Sequence, residues 1–224
     1  MKKFFILFVI ILSSCAIEYD GETKIVVKGK VVDYNNNPII NKEINLFVSR
    51  NEIYFPLMFF APSEENNIGK TTTNNNGEYT MVIPKPTSNY TEIVLETNTG
   101  NNNLNQKQFR NIQYENFINY ELNLPTTILY NKNDLTTLNI IPNQINQYNE
   151  LKNIELIGFV PNEIEYFNLP EEYSFHSELQ RFVKKNQTLI LRYTIINHNT
   201  NTTSVTDENI IIDNSNQIDF TLNY

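Results

Sequence analysis

The chain reads as an all-β protein. Apolar and polar residues alternate over short runs, clusters of Asn, Asp, Gly and Pro separate those runs, and a single stretch carries helix signals. Once a targeting segment is set aside, about 210 residues remain, room for one large or two ordinary domains. The expected boundaries are a targeting segment at 1–14, an acidic tether at 15–22, a first β-sandwich at 23–125, and a second β-rich, sandwich-like domain at 132–224.

At the front, Lys2 and Lys3 precede an apolar run from Phe4 to Leu12, followed by Ser13, Ser14 and Cys15. A basic start, a short apolar stretch and small residues before a cleavage point make a bacterial secretory signal. The run falls short of the roughly 20 apolar residues a spanning helix needs. Leu12-Ser13-Ser14-Cys15 resembles the lipobox of bacterial lipoproteins. The resemblance implies that Cys15 carries palmitate-type acyl chains and becomes the first residue of the processed chain. Cys15 is the one cysteine, so it has no disulfide partner, and an exposed free thiol would be an oxidation liability. Two or three acyl chains, at about 0.8 kcal/mol per buried CH₂, hold far better than one. The location implied is the cell envelope, on the outer membrane. Glu18, Asp20 and Glu22 loosely resemble the surface-export signal behind the acylated cysteine of Bacteroidota lipoproteins; a solvated linker explains them equally well.

The formal charge of −8 becomes two units more acidic when Lys2 and Lys3 are removed. Such a chain is unsuited to nucleic acid, whose phosphates call for basic stripes, and is not expected to lie flat on anionic lipid. Without disulfides the fold depends on its apolar core, and 14 Phe and 13 Tyr, against no Trp, supply one. Asn35–Asn37, Asn74–Asn76 and Asn101–Asn103 read as turns, because Asn tolerates left-handed backbone and caps turns with its side chain. Codon drift adds to the same bias.

Ile25, Val27 and Val31 alternate with Lys24, Lys28 and Lys30, as on a half-buried strand. Asp33 to Pro38 reads as a hairpin connection to a strand over Glu43–Val48. Lys70–Thr73 leads through Asn74-Asn75-Asn76-Gly77 to a strand at Glu78–Pro84, with Gly77 at the positive-φ position of a tight turn. Val27-Lys28-Gly29-Lys30-Val31-Val32-Asp33, then Pro38-Ile39, then Thr72 to Tyr79, resemble the carboxypeptidase regulatory-like domain. That resemblance implies a transthyretin-like seven-stranded sandwich serving as an accessory module without catalytic residues. Asn36 stands where the family's G-x-P-L pattern has its glycine and Asn74 replaces the usual Asp, which weakens any calcium-like role there.

Beyond residue 132 strands are expected at Leu135–Ile141, Ile154–Val160, Thr188–Ile196, Asn209–Ile212 and Ile218–Leu222. Phe109–Tyr114 with Asn119–Leu124 echoes Glu208–Asp213 with Gln217–Asn223, as two tandem sandwiches would. Residues 170–184 are the one helix candidate: Pro170, Glu171 and Glu172 open it, Lys184 and Lys185 close it, and Phe175, Leu179 and Phe182 share a face.

Chemistry is sparse. His176 beside Ser174 and Ser177, and His198 in an Asn/Thr-rich turn, are the only histidines. No Gly-x-Ser-x-Gly elbow or His-Glu-x-x-His pair accompanies them. Glu64-Glu65 and Glu171-Glu172 are adjacent rather than paired across a substrate, and Asp33, Asp207 and Asp213 read as turn caps in preference to calcium ligands. Asn89, Asn186 and Asn201 head glycosylation-like triplets that composition explains. One segment resists alternation: Ile53-Tyr54-Phe55-Pro56-Leu57-Met58-Phe59-Phe60 is apolar on both faces. It reads as a buried plug, or as a patch (Tyr54, Phe55, Leu57, Met58, Phe59, Phe60) for a partner or the acyl region.

The expectation is thus a non-enzymatic outer-membrane or surface lipoprotein, without cofactor, acting as a binding or structural module. It would be held to the membrane through Cys15, with an envelope protein or a glycan as partner. The alternatives are a subunit of a transport or secretion complex, or a hydrolase with its site in 132–224.

Overall fold

The computed structural model describes residues 17–50, 64–87, 92–97, 103–167 and 179–224. Cys15, the apolar segment 53–60, His176 and the first part of the helix candidate lie outside these.

Among the described residues, alternation and turn chemistry build fifteen strands. The first eight are β1 (Tyr19–Asp33), β2 (Glu43–Arg50), β3 (Glu64–Thr72), β4 (Glu78–Pro86), β5 (Glu92–Thr97), β6 (Lys107–Ile112), β7 (Glu121–Asn123) and β8 (Thr127–Leu129). The rest are β9 (Leu135–Asn143), β10 (Asn149–Ile157), β11 (Ile164–Tyr166), β12 (Gln180–Lys184), β13 (Gln187–Asn197), β14 (Thr202–Ile212) and β15 (Gln217–Asn223). The molecule is an all-β sandwich protein, and its described residues form two separate apolar cores. One gathers Ile25, Val27, Ile44, Leu46, Ile93 and Phe109 among others; the second gathers Leu138, Leu151, Val183, Leu189, Leu191 and Leu222.

The two halves repeat one topology. In the first, β1 pairs antiparallel with β4 and parallel with β7 and β8, opposite a sheet ordered β6-β5-β2-β3. In the second, β9 pairs antiparallel with β12 and parallel with β15, opposite a sheet ordered β10-β13-β14. The sequence echo falls on β6–β7 and β14–β15, corresponding strands of the two halves. β3 has no described counterpart in the second half. The chain between β10 and β12 instead sends β11 to pair in parallel with β6, at the edge of the first half's sheet. Residues 164–166 therefore depart from a second domain running unbroken from 132 to 224.

Four expectations are corrected. Asp33 does form its turn, accepting from the amides of Asn35 and Asn37 at 2.8 and 2.9 Å. The chain then crosses to the opposite sheet, because β4 and β7/β8 occupy both edges of β1; no β1–β2 hairpin forms. Residues 17–22 are not a free tether. Ile17 is buried in the first core, the Glu18 carbonyl accepts from the Thr87 amide at 2.9 Å, and Tyr19 pairs with Pro86. Over 180–184 the helix candidate is strand β12, with Val183 buried against the second core and Phe182 outward. Pairing with β9 satisfies this segment's backbone, and two-residue spacing then buries Val183, with Leu179 partly buried against the same core, and turns Phe182 outward. Finally, β10 begins at Asn149 and ends at Ile157, where Gly158 (φ 150) turns the chain, so the strand expected at Ile154–Val160 is shifted.

Gly77 does adopt positive φ (75°), and a Cβ there would stand 2.4 Å from the Val31 carbonyl oxygen. Only glycine fits a turn placed that close to β1.

The halves are joined at several points. Lys107, with 7% of its side chain exposed, pairs with Glu165 of β11 at 2.7 Å. Asn111 donates to the Phe167 carbonyl at 2.8 Å. Tyr34 stacks on Tyr130 and meets Phe159 edge-on, with the Lys184 ammonium 4.8 Å from the Tyr34 ring. Replacing Glu165 by Gln strands the Lys107 charge and is expected to lower stability by about 2 kcal/mol. That is less than for a fully buried pair, because Glu165 is partly solvated. Urea unfolding checks this, and an unchanged midpoint would contradict it.

Lys42, just before β2, is 1% exposed and its Nζ has no hydrogen-bond partner. Desolvation, and secondarily the Lys132 charge, pull its pKa below the ordinary 10.5. A depressed amine pKa means the unfolded chain binds the proton better, so stability rises with pH between the folded and unfolded values. Lys42→Met is therefore expected to stabilise by about 1–3 kcal/mol below that window, the gain fading above the ordinary value. Thermal melts across pH read this out, and a destabilised variant at neutral pH would contradict it.

Candidate functional site

Strand directions define two ends. β1 rises from Tyr19, β2 descends to Arg50, β4 descends to Pro86, and β6 descends to Ile112 before β7 rises again. The proximal end therefore carries Ile17–Tyr19, the roots of the 51–63 segment and the start of the 113–120 connection, whose closing turn lies beside Val26, in the middle of β1. The second half joins at the opposite end, through Tyr34 and Tyr130. Its β9 runs outward to Asn143, β13 to Asn197 and β15 to Asn223. Ile17 and the outer loops of the second half thus lie at opposite ends of two sandwiches in series. The outer half alone spans some 35 Å at about 3.3 Å per strand residue.

At the proximal end Asp20 caps a bulge, accepting from the amides of Glu22 and Thr23 at 3.1 and 2.8 Å. Bonding from Thr23 holds its carboxyl below the ordinary carboxylate range. The 113–120 connection begins with a 3₁₀ turn, Tyr114–Asn116, whose Tyr114 ring stacks on Phe117 and lies under the Lys85 ammonium at 4.0 Å. It ends in a tight turn closed by reciprocal bonds between Ile118 and Glu121 of 2.9 and 3.0 Å. Both central residues are left-handed, Asn119 at φ 52° and Tyr120 at φ 66°, a type I′ arrangement that favours Asn-Gly. The turn exposes Ile118 (77%) and Tyr120 (54%). A bulky residue at positive φ is strained, so Tyr120→Gly is expected to raise stability by about 1 kcal/mol. A lower melting temperature would contradict that.

The distal end holds a cleft of about 390 Å³, lined by Gln144, Gln147, Asn149, Glu150, His198 and Tyr224 among others. The β13–β14 turn builds one wall: Asn197 Oδ1 accepts from the amides of Asn199 and Thr200 at 3.0 and 2.9 Å, and Asn201 supplies the left-handed position. His198 Nε2 lies 2.7 Å from Glu150 Oε2, both exposed, and its amide donates to the Tyr148 carbonyl. The lining contains no serine, threonine or cysteine. Amides, an imidazole and a carboxylate make this a hydrogen-bonding surface. A smaller cleft of about 240 Å³ at the junction includes Lys132, Thr136, Glu163 and Phe182.

The sequence-predicted candidates are scattered. Asp33 and Asp213 cap turns, Asp213 accepting from the Ser215 amide at 2.8 Å. Asp207 is gripped by Arg192 through two bonds of 2.9 and 3.0 Å, which hold its carboxyl low. Among the described residues no three Asp, Glu, His or Cys side chains gather as a metal site. Cys15, Tyr54, Phe55, Leu57, Met58, Phe59, Phe60, His176, Glu171 and Glu172 fall outside the described residues. Sequence reading missed the His198–Glu150 pair, which lies 48 positions apart, and the Ile118–Tyr120 turn. The only local hint of the turn was Asn119 between apolar residues.

No protein-family model and no curated protein matches this chain. Several solved structures show a likeness. Shaft pilin SpaA from Lactobacillus rhamnosus GG matches at 10% identity and TM-score 0.34, over 90% of this chain and 98% of its own. The Bacillus anthracis TIE protein matches at 13% and 0.30, over 90% of this chain and 34% of its own. A 9R-lipoxygenase from Cyanothece PCC8801 matches at 16% and 0.28, over 56% of this chain and 20% of its own. The chain therefore spans about a fifth of the lipoxygenase and a third of the TIE protein.

Proposed function

We propose that this protein is a non-enzymatic lipoprotein of the outer membrane or cell surface. Anchored through Cys15, it would stand on its proximal end and present the distal loops of its second half. The observation that carries this reading is polarity: Ile17 and the His198–Glu150 cleft lie at opposite ends of two sandwiches in series. The junction contacts between Lys107 and Glu165, and among Tyr34, Tyr130 and Phe159, favour a stiff spacer over a hinged one. Rigid strands carrying exposed loops are the usual arrangement of a recognition module. We further take residues 23–125 as a carboxypeptidase regulatory-like unit. The parallel β1–β7 pairing and the Asn74–Gly77 turn support that assignment. The patch Tyr54, Phe55, Leu57, Met58, Phe59 and Phe60 belongs to the segment joining β2 to β3, whose flanks Ser49 and Glu65 pair near the proximal end. Contact with the membrane or a neighbouring envelope protein is the role we assign it. The distal partner on this reading is an envelope protein or a glycan.

The test is the intact mass of protein extracted from envelopes. A chain starting at Cys15 and carrying at least a diacylglycerol moiety is the expected species. An unmodified cysteine, or a chain retaining residues 1–14, would defeat the reading.

A further inference from the structure

We infer that β14 is an open sheet edge that accepts an added strand, and that its occupant is an extended, basic segment of a partner protein. The site is separate from the distal cleft, and the inference needs no anchor at Cys15.

The internal repeat shows why this edge stands out. β6 and β14 hold the same place in their halves, each pairing antiparallel with the strand before it, β5 or β13. The other edge of β6 is closed by β11. Among the described residues nothing closes the other edge of β14. Its 11 residues pair with β13 without a register shift, and Thr202 to Asn209 are exposed on both faces. An unpaired edge of that length is a template for another strand, and native sheets blunt such edges with bulges, prolines or lysines. At the far ends of the two sheets, β3 is bulged at Ile68 and β10 at Lys152. β14 has no bulge, no Pro and no Lys.

Charge selects the occupant. β6 carries two cations, Lys107 and Arg110, and no carboxylate. The segment that closes it carries two carboxylates, Glu163 and Glu165, and no cation. The Gln108 amide donates to the Glu163 carbonyl at 2.7 Å, and Lys107 pairs with Glu165 at 2.7 Å. On the β14 flank the sign is reversed. From Thr202 through β15 to Asn223 the chain has four carboxylates, Asp207, Glu208, Asp213 and Asp219, and no Lys or Arg. Arg192 neutralises Asp207, and Lys185 bonds Asn216 at the junction end. Glu208 is exposed and makes no ion pair among the described residues. Opposite charges across a strand pair stabilise it and like charges repel. A basic strand therefore fits, while β14 of a second copy would bring the same carboxylates. Main-chain bonds along the edge supply affinity, and the charges supply selectivity.

The probe is a synthetic peptide in which Lys alternates with Val and Thr. One control has Glu for every Lys; another keeps the lysines but has every backbone amide methylated, so it cannot donate to a ladder. Amide hydrogen exchange of the full chain, read by mass spectrometry over residues 202–212, reports occupancy. With basic peptide at about ten times its dissociation constant, the outward amides of β14 are expected to exchange about tenfold more slowly, as mass action requires. Residues 64–72 of β3, and either control peptide, are expected to show no change. Glu208→Lys combined with Asp219→Lys is expected to reverse the preference from the basic to the acidic peptide. Should that pair fail to fold, Glu208→Gln is expected to weaken the basic peptide about threefold. No saturable slowing over 202–212 with the basic peptide overturns the inference. Equal slowing by the methylated peptide overturns it as well, because the contact would then be charge without a ladder. Variants that leave the preference and the affinity unchanged remove the charge argument and with it the occupant. A chain that sediments as a dimer with 202–212 already protected gives the edge to a second copy and overturns it too.

Discussion

A Cys15→Ser chain is expected to vanish from washed membranes and to retain residues 1–14. The reason is chemical. A thiol ionises and attacks far more readily than a serine hydroxyl, so only the cysteine gains a thioether-linked diacylglycerol. Each acyl chain adds about 0.8 kcal/mol per buried CH₂, which makes two chains a firm hold and their loss all-or-none. Among the described residues no helix is long and apolar enough to span a bilayer. Carbonate-washed fractions and an intact mass decide the matter: retention of the serine variant in the washed pellet would sink the anchor.

Phe109→Ala is expected to destabilise the first sandwich by about 3–5 kcal/mol, through lost transfer energy and the cavity left behind. Phe109 is fully buried on β6. Its ring lies 6.3 Å from that of Phe167, just beyond β11, and the Lys107 ammonium stands 5.1 Å from it. The ring therefore supports both the first core and the strand that ties the halves together. Its removal should lower the denaturant midpoint and also speed proteolysis around residues 160–170. A loss below about 1 kcal/mol would show that the site collapses without a void.

Much of the fold was legible in the residues because strands announce themselves locally. Ile25, Val27 and Val31 alternate with lysines and are fully buried, as a period of two requires. Asn was legible as well: of the seven described non-glycine residues at positive φ, all but Tyr120 are Asn. What failed was pairing. The Asp33–Pro38 turn looked like a hairpin, yet β1 had both edges taken by strands 50 to 100 positions downstream, and local chemistry carries no record of such competition. Gln180–Lys184 failed for a related reason. Its helix-compatible spacing of Leu179 and Phe182 was overridden once β9 offered a ladder that buries Val183.

The candidate site was the least legible part. Glu150 and His198 acquire meaning only through the end they share. Which end a loop occupies follows from strand direction, and strand direction is known only after pairing.

The sequence by itself determined an all-β chain with Asn-built turns, a lone cysteine behind a short apolar run, and too little histidine or patterned carboxylate to suggest catalysis, because these properties reside in single residues and their near neighbours. The tertiary structure alone decided that residues 17–22 are folded rather than tethering, that β11 crosses to the first half, and that Ile17 and the distal cleft lie at opposite ends. Those outcomes depend on which distant strands win a shared edge. That contest is settled by the burial of two whole cores, and no short stretch of sequence contains it.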